Sequence, residues 1–175
     1  MIKMPNVILM LSLGAILASC TFTYTPPQDI TAAPYVNSIQ SKSIEPIHID
    51  DTTAQDTVIA SRTAFYTYNA NLSAFGEAVT ASLERELVKN GFQVTPNASK
   101  TIRIDVIDVE MAYPKKYRCD IELAVGVGEK KIGIATDSPA SIVYTDAIDA
   151  AVADAVRRIV SNPEVVAYLN NASDQ

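Results

Sequence analysis

The 175-residue chain contains no tryptophan, one histidine and two cysteines. So few imidazoles and thiols leave little from which to build a His/Cys metal centre or a nucleophile paired with a histidine. Lys and Arg are also outnumbered, 14 against 20 Asp and Glu, giving a formal charge of −6 and a pI near 4.7. An acidic chain without clustered cations does not neutralise phosphates, so a nucleic-acid partner is not expected. Charged residues make up 19% and apolar residues 48%, which excludes a disordered chain. A mean hydropathy of +0.11 excludes a protein with many membrane spans. The length suits one domain.

Long hydrophobic runs are absent apart from Val7 to Leu17, which follows Lys3, the only charge among the first twenty residues. That run is about half of the roughly 20 apolar residues that a helix needs to cross a bilayer. It therefore reads as a signal peptide rather than an anchor helix. The tetrad that follows, Leu17-Ala18-Ser19-Cys20, resembles the lipobox of bacterial lipoproteins. In such proteins the thiol is diacylated, the chain is cut before the Cys and the new amine is acylated, so Cys20 is the expected lipidation site. The alternative is an ordinary secretory signal with Cys20 incidental. Three acyl chains, at about 0.8 kcal/mol per buried CH₂, hold a protein at a membrane essentially permanently. Loss of Lys3 with residues 1–19 leaves the chain from Cys20 onward slightly more acidic. Thr21, where inner-membrane lipoproteins tend to carry Asp, favours the outer membrane by the rule for Gram-negative lipoproteins.

Cys119 is the only other thiol, so no intramolecular disulfide is available once Cys20 is acylated. The fold must then rest on its core, and Cys119 is expected to be buried.

Residues 20–37 contain Pro26, Pro27 and Pro34 and show no helical or strand period, so they read as the lipidated Cys followed by an extended tether. A single domain over residues 38–171 follows. Ile39, Ile44, Ile47 and Ile49 suggest an irregular strand ending at a turn over Asp50 to Thr53, and Thr57 to Tyr68 suggests a second extended run. From Asn71 to Asn90, Leu72, Phe75, Val79, Leu83 and Leu87 mark one face of a helix, with Asn71 as its cap and Asn90-Gly91 as its end. In the strand Thr101 to Met111 the apolar phase changes from Ile102, Ile104 and Val106 to Ile107, Val109 and Met111, which predicts a β-bulge near Val106-Ile107. Tyr117 to Val127 alternates cleanly, and Gly128-Glu129-Lys130 turns it into a partner strand over Lys131 to Thr136. A helix from Thr145 or Asp146 to Ser161 carries Ile148, Ala151, Val152, Ala155, Ile159 and Val160 on one stripe. Asn162-Pro163 then starts a shorter helix.

Few constellations point to chemistry. Gly126-Val127-Gly128 lacks the remainder of a phosphate loop and lies between strands, so it reads as part of a hairpin. Asp105, Asp108, Glu110, Asp120 and Glu122 offer carboxylates for acid–base or divalent-metal work, but alternation places Asp120 and Glu122 opposite the apolar face, beside Arg118. His48 has Asp50 and Asp51 nearby, but no Gly-x-Ser-x-Gly elbow accompanies it. The Asn-x-Ser triplets at Asn71, Asn97 and Asn171 matter only in a eukaryotic secretory pathway. Phe65, Tyr66 and Tyr68 are the better candidates for a contact surface, with sheet packing as the plain alternative.

The order of these elements resembles the YajG-type lipoproteins of Gram-negative bacteria. The matching stretches are Leu72 to Met111, Arg118 to Gly128 and Asp149 to Leu169. The resemblance implies a small α+β domain held at the outer membrane with no catalytic or cofactor-binding residues. Auxiliary lipoproteins of lipid-transport systems share the lipobox and a small α/β domain. The expected fold is therefore two-layer α+β, a mostly antiparallel sheet with two main helices packed on one face. The expected function is a non-enzymatic structural or accessory role in the cell envelope. It would be exerted from a periplasm-facing position, with the membrane bound through Cys20 and an envelope protein as partner. The alternative is a lipid-handling subunit of an envelope transporter. No cofactor or metal is expected.

Overall fold

A computed structural model describes residues 20–26, 45–62, 66–113 and 115–171. The expected signal peptide, most of the expected tether and the first part of the expected early strand (39–44) lie outside these residues.

The architecture is α+β, with helices packed against sheet, as the periodicity predicts. The core sheet has the strand order β2 (Ile47–Asp51), β5 (Lys100–Ala112), β6 (Arg118–Val127), β7 (Lys130–Ala135). Its apolar face carries Ile102, Ile104, Val106, Val109 and Met111 from β5 and Cys119, Ile121, Leu123, Val125 and Val127 from β6, all buried. Helices α1 (Leu72–Lys89) and α2 (Tyr144–Ser161) cover that face, and α3 (Pro163–Asn170) docks through Val165 and Leu169. The expected bulge is present: Val106 pairs with Leu123 and Asp108 with Glu122, so Ile107 is the extra residue. Ile107 is consequently 47% exposed, and the second apolar set is Val109 and Met111 alone.

Helix α1 is defined at both ends by its own sequence. Asn71 Oδ1 accepts from the Ala74 N–H at 3.3 Å. At the other end the Phe92 N–H bonds to Leu87 O and the Gly91 N–H to Val88 O, each at 3.0 Å, the paired bonds of a Schellman turn. Gly91 takes the φ of 86° that this turn requires, and the apolar pair Phe92 and Leu87 is buried beside it. Asn162 caps α3 by accepting from the Glu164 N–H at 2.9 Å, with Pro163 in the first turn. Helix α2 starts at Tyr144, one residue before the earliest predicted start, after Val143, which makes no side-chain cap.

Three features sharpen or correct the expectation. The sheet is not single: β1 (Cys20–Tyr24), β4 (Tyr66–Asn71) and β3 (Thr57–Arg62) form a second, three-stranded sheet in the order β1-β4-β3. The run expected as one extended piece, Thr57 to Tyr68, therefore contributes to two antiparallel strands, the second of which continues to Asn71. Each sheet is mixed, because β1 pairs with β4 and β2 with β5 in parallel, while the other pairs are antiparallel. Parallel pairing needs a long crossover, and the β3–β4–α1 segment provides it between β2 and β5. Finally, residues 20–24 are not tether. The alternation Thr21-Phe22-Thr23-Tyr24-Thr25 is a strand signal that the prolines immediately after it obscure.

Strand β2 also runs to Asp51, further than expected, and the chain then leaves the sheet under close control. The Thr52 N–H donates to Ile104 O at 2.7 Å, and Thr53 Oγ1 accepts from the Val106 N–H at 3.0 Å. A side chain thus replaces the strand where β5 begins to bulge. Helix α1 lies so close that a Cβ on Gly76 would stand 2.3 Å from Thr53 Oγ1.

Candidate functional site: an aromatic edge beside the amino-terminal strand

Side chains from the three-stranded sheet, from the β5–β6 connection and from α2 converge on one edge of the protein. Phe22 on β1 stacks on Tyr68 of β4 with ring centroids 5.6 Å apart, and Tyr24 stacks on the same ring at 5.2 Å. The parallel register, Phe22 opposite Tyr68, produces this arrangement, since residues i and i+2 of β1 share a face. Tyr24 reaches Tyr144 at 5.5 Å, Tyr144 meets Tyr117 edge-on at 6.2 Å, and Tyr117 stacks on Tyr113 at 5.0 Å. These separations fall in the range of attractive aromatic pairs. Within this row of rings Tyr24 is buried, whereas Phe22 is 49%, Tyr144 44% and Tyr113 52% exposed. Burial, reinforced by the neighbouring Tyr68, Tyr117 and Tyr144, pushes the Tyr24 hydroxyl up to about 12, so it stays protonated at neutral pH.

The segment before α2 extends this edge. Ile142 is 78% exposed and is followed by the exposed Val143 and Tyr144. Polar contacts hold these apolar residues outward. Tyr117 and Ser141 exchange two backbone hydrogen bonds, at 2.7 and 2.8 Å. The Arg118 guanidinium bonds Asp120 at 2.8 Å and Asp137 at 2.6 Å. Asp154 on α2 accepts from the Asp137 N–H at 3.0 Å, and its carboxylate also faces Arg157 and Arg158. These donors hold the Asp154 carboxyl below the ordinary carboxylate range, against the opposing effect of burial. The network pins residues 136–143 to both β6 and α2 and so fixes where Ile142 to Tyr144 point. Lys115 and Lys116 are exposed between Tyr113 and Tyr117, placing two cations beside the rings of an otherwise acidic protein.

Of the aromatic residues singled out in the sequence, Tyr68 belongs to this edge, stacked between Phe22 and Tyr24. The Phe65 and Tyr66 side chains lie outside the described residues. Phe22, Tyr24, Tyr113, Tyr117 and Tyr144 were missed, because four separate chain segments bring them together.

The remaining candidates have structural roles. Cys119 is fully buried on the core face, as expected, and burial, with the Asp120 charge as a smaller cause, raises its thiol to about 12. Asp108 and Glu110 stand directly opposite Glu122 and Asp120 on the outer sheet face. Arg118 pairs with Asp120, and Lys131 lies 3.3 Å from Asp105. Among the described residues no cluster has the make-up of a metal site. His48 sits half-buried on β2 opposite Thr101, and Gly126 to Gly128 belong to the β6–β7 hairpin. Cys20 opens β1, in register with Tyr66. Lys100 is 3% exposed at its side chain, donates to the C-terminal carbonyls of α3 at Leu169 and Asn171, and lies 5.3 Å from the Tyr168 ring. Among the described residues a hollow of about 600 Å³ lies between the β6–β7 turn and α3, lined by Val127, Pro163, Ala167 and Tyr168 together with Glu129, Lys130 and Glu164. Among the described residues no helix is long and apolar enough to cross a membrane.

No family model and no curated protein matches the chain. Among solved structures it is similar to protein XCC0632 of Xanthomonas campestris, of the DUF330 family, with 15% identity, 84% of this chain and 95% of that chain covered, and a TM-score of 0.48. It is also similar to an uncharacterized protein, with 10% identity, 79% and 93% covered, and a TM-score of 0.38.

Proposed function

We propose that the protein is a lipoprotein anchored through Cys20, facing the periplasm from the outer membrane and acting by contact rather than by catalysis, as a structural or accessory component of the cell envelope. The Leu17-Ala18-Ser19-Cys20 tetrad after a short apolar run carries this reading, and the resemblance to YajG-type lipoproteins supports it. The open aromatic edge supports the contact role, since rigid aromatic side chains supply much contact area at little conformational cost. The competing role of a lipid-handling transport subunit calls for an apolar groove that takes an acyl chain. The hollow between the β6–β7 turn and α3, with Val127, Pro163, Ala167 and Tyr168 in its lining, is the site at which such a chain would lie.

Accumulation of an uncleaved precursor under globomycin is the expected result for the anchor. A Cys20→Ala protein that stays with membranes after a carbonate wash would overturn it. For the role, crosslinking in cells is expected to capture an envelope protein. Phospholipid retained in stoichiometric amount through gentle purification would favour the transport subunit instead.

A further inference from the structure

We infer that the aromatic edge is a membrane-seating surface, which holds the domain flat against the anionic phospholipid layer in which Cys20 is anchored. The inference rests on the proposed lipidation of Cys20. Its geometric basis is that Cys20 belongs to a strand of the domain instead of to a tether. A strand advances about 3.3 Å per residue, so Phe22 lies roughly 7 Å from Cys20. The headgroup layer of each leaflet is about 5 to 7 Å deep, the difference between a hydrocarbon core of about 30 Å and a whole bilayer of 40 to 45 Å. Acylation at Cys20 therefore places Phe22 in or against the headgroups. From Phe22 a row of rings in contact, stacked, tilted or edge-on, runs through Tyr68 and Tyr24 to Tyr144, Tyr117 and Tyr113. The exposed Ile142 and Val143 flank Tyr144. Tyrosine is the residue type that favours the membrane–water boundary, with an apolar ring for the acyl side and a hydroxyl for the water side.

Charge agrees with this placement. In a chain of formal charge −6, Lys115 and Lys116 stand exposed between Tyr113 and Tyr117, where they meet lipid phosphates when the rings meet the interface. Each lysine near an anionic surface contributes roughly fivefold to such binding. A protein partner on the same edge would not require these cations to lie beside the rings, so a lipid surface is the occupant the geometry favours.

The absence of tryptophan makes the test clean, because one introduced tryptophan is the sole reporter. The acylated protein is placed in vesicles of phosphatidylethanolamine and phosphatidylglycerol whose acyl chains carry bromine near the headgroup, and quenching is compared across variants. Tyr113→Trp and Tyr144→Trp report on the far part of the edge, and Phe22→Trp reports on the anchor. Val88→Trp is the control: Val88 is 54% exposed on the last turn of α1. That turn leads to the first residues of β5, a strand length of about 40 Å from Tyr113. Strong quenching is expected at Phe22→Trp, Tyr113→Trp and Tyr144→Trp, with little at Val88→Trp. Lys115→Glu with Lys116→Glu should lower quenching at Tyr144→Trp in these vesicles and leave it unchanged in vesicles of phosphatidylcholine alone. Quenching at Phe22→Trp alone would overturn the seating and leave the anchor standing. No quenching anywhere, with the protein free of the vesicles, would overturn both. Protection of the edge in native envelope membranes but not in protein-free vesicles would assign it to a protein and overturn the inference.

Discussion

Removing the Asp154 carboxylate tests whether the polar network behind the aromatic edge holds the fold. Asp154 is 7% exposed and takes the Asp137 N–H at 3.0 Å and the Arg158 Nε at 2.7 Å, with Arg157 on its other oxygen. The two arginines are 50% and 38% exposed, so their ion pairs are screened and contribute only about 0.2 to 1 kcal/mol each. The bond from the part-buried Asp137 N–H to a carboxylate is worth more, about 1.5 to 3 kcal/mol, the range of hydrogen bonds to a charged group. Asp154→Ala should therefore lower stability by about 2 to 4 kcal/mol at pH 7, a fall in Tm of roughly 4 to 12 °C for a domain of this size. The sign of the pH dependence follows from a folded-state pKa below the ordinary value of 3.8. The contribution is complete above the unfolded-state value and is lost as pH falls through the folded-state value. Denaturant titrations of wild type and variant between pH 7 and about pH 2.5 provide the measurement, since the other carboxylates cancel in the difference. Asp154→Asn, which keeps an acceptor for the Asp137 N–H, should lose less than Asp154→Ala. A difference under about 0.5 kcal/mol at pH 7, or one that does not shrink in acid, would refute the reasoning.

Three further outcomes follow from particular contacts. Gly76→Ala should destabilise by about 1 to 3 kcal/mol despite the better helix propensity of alanine, because its Cβ would lie 2.3 Å from Thr53 Oγ1; a rise in Tm on thermal unfolding would contradict this. Asp149 has its carboxyl raised by burial and then by Asp146, and one of its oxygens is buried without a hydrogen bond. Its ionisation therefore opposes folding, and stability contributed below the unfolded pKa is lost as pH rises toward the folded one. Asp149→Ala should raise Tm at pH 7, with a gain that fades in acid. The Cys119 thiol, buried and raised to about 12, should react with a maleimide only at the rate of unfolding, so rapid labelling of native protein would show that the core opens there.

Local pattern was a good guide wherever one segment sufficed to specify the outcome. The caps at Asn71 and Asn162, the glycine turn after α1 and the bulge between Val106 and Asp108 all arise from neighbouring residues, and each could be placed before any tertiary contact was known. The acidic outer face and the burial of Cys119 followed from strand alternation in the same way. Strand partners were not legible, because alternation says which face a residue takes and nothing about which strand lies beside it. The parallel edges β1 and β2, and hence the division into two sheets, depend on crossovers that no local period encodes.

The same distinction holds for the candidate site. The sequence by itself marked Cys20 and Tyr68, through a motif and a local cluster. Tertiary structure decided that Cys20 opens a strand of the domain, and that Phe22, Tyr24, Tyr113, Tyr117 and Tyr144 join Tyr68 in one row of rings. Those rings lie up to 122 positions apart along the chain, from Phe22 to Tyr144. Only the pairing of β1 with β4 and the packing of α2 on the sheet bring them within contact distance.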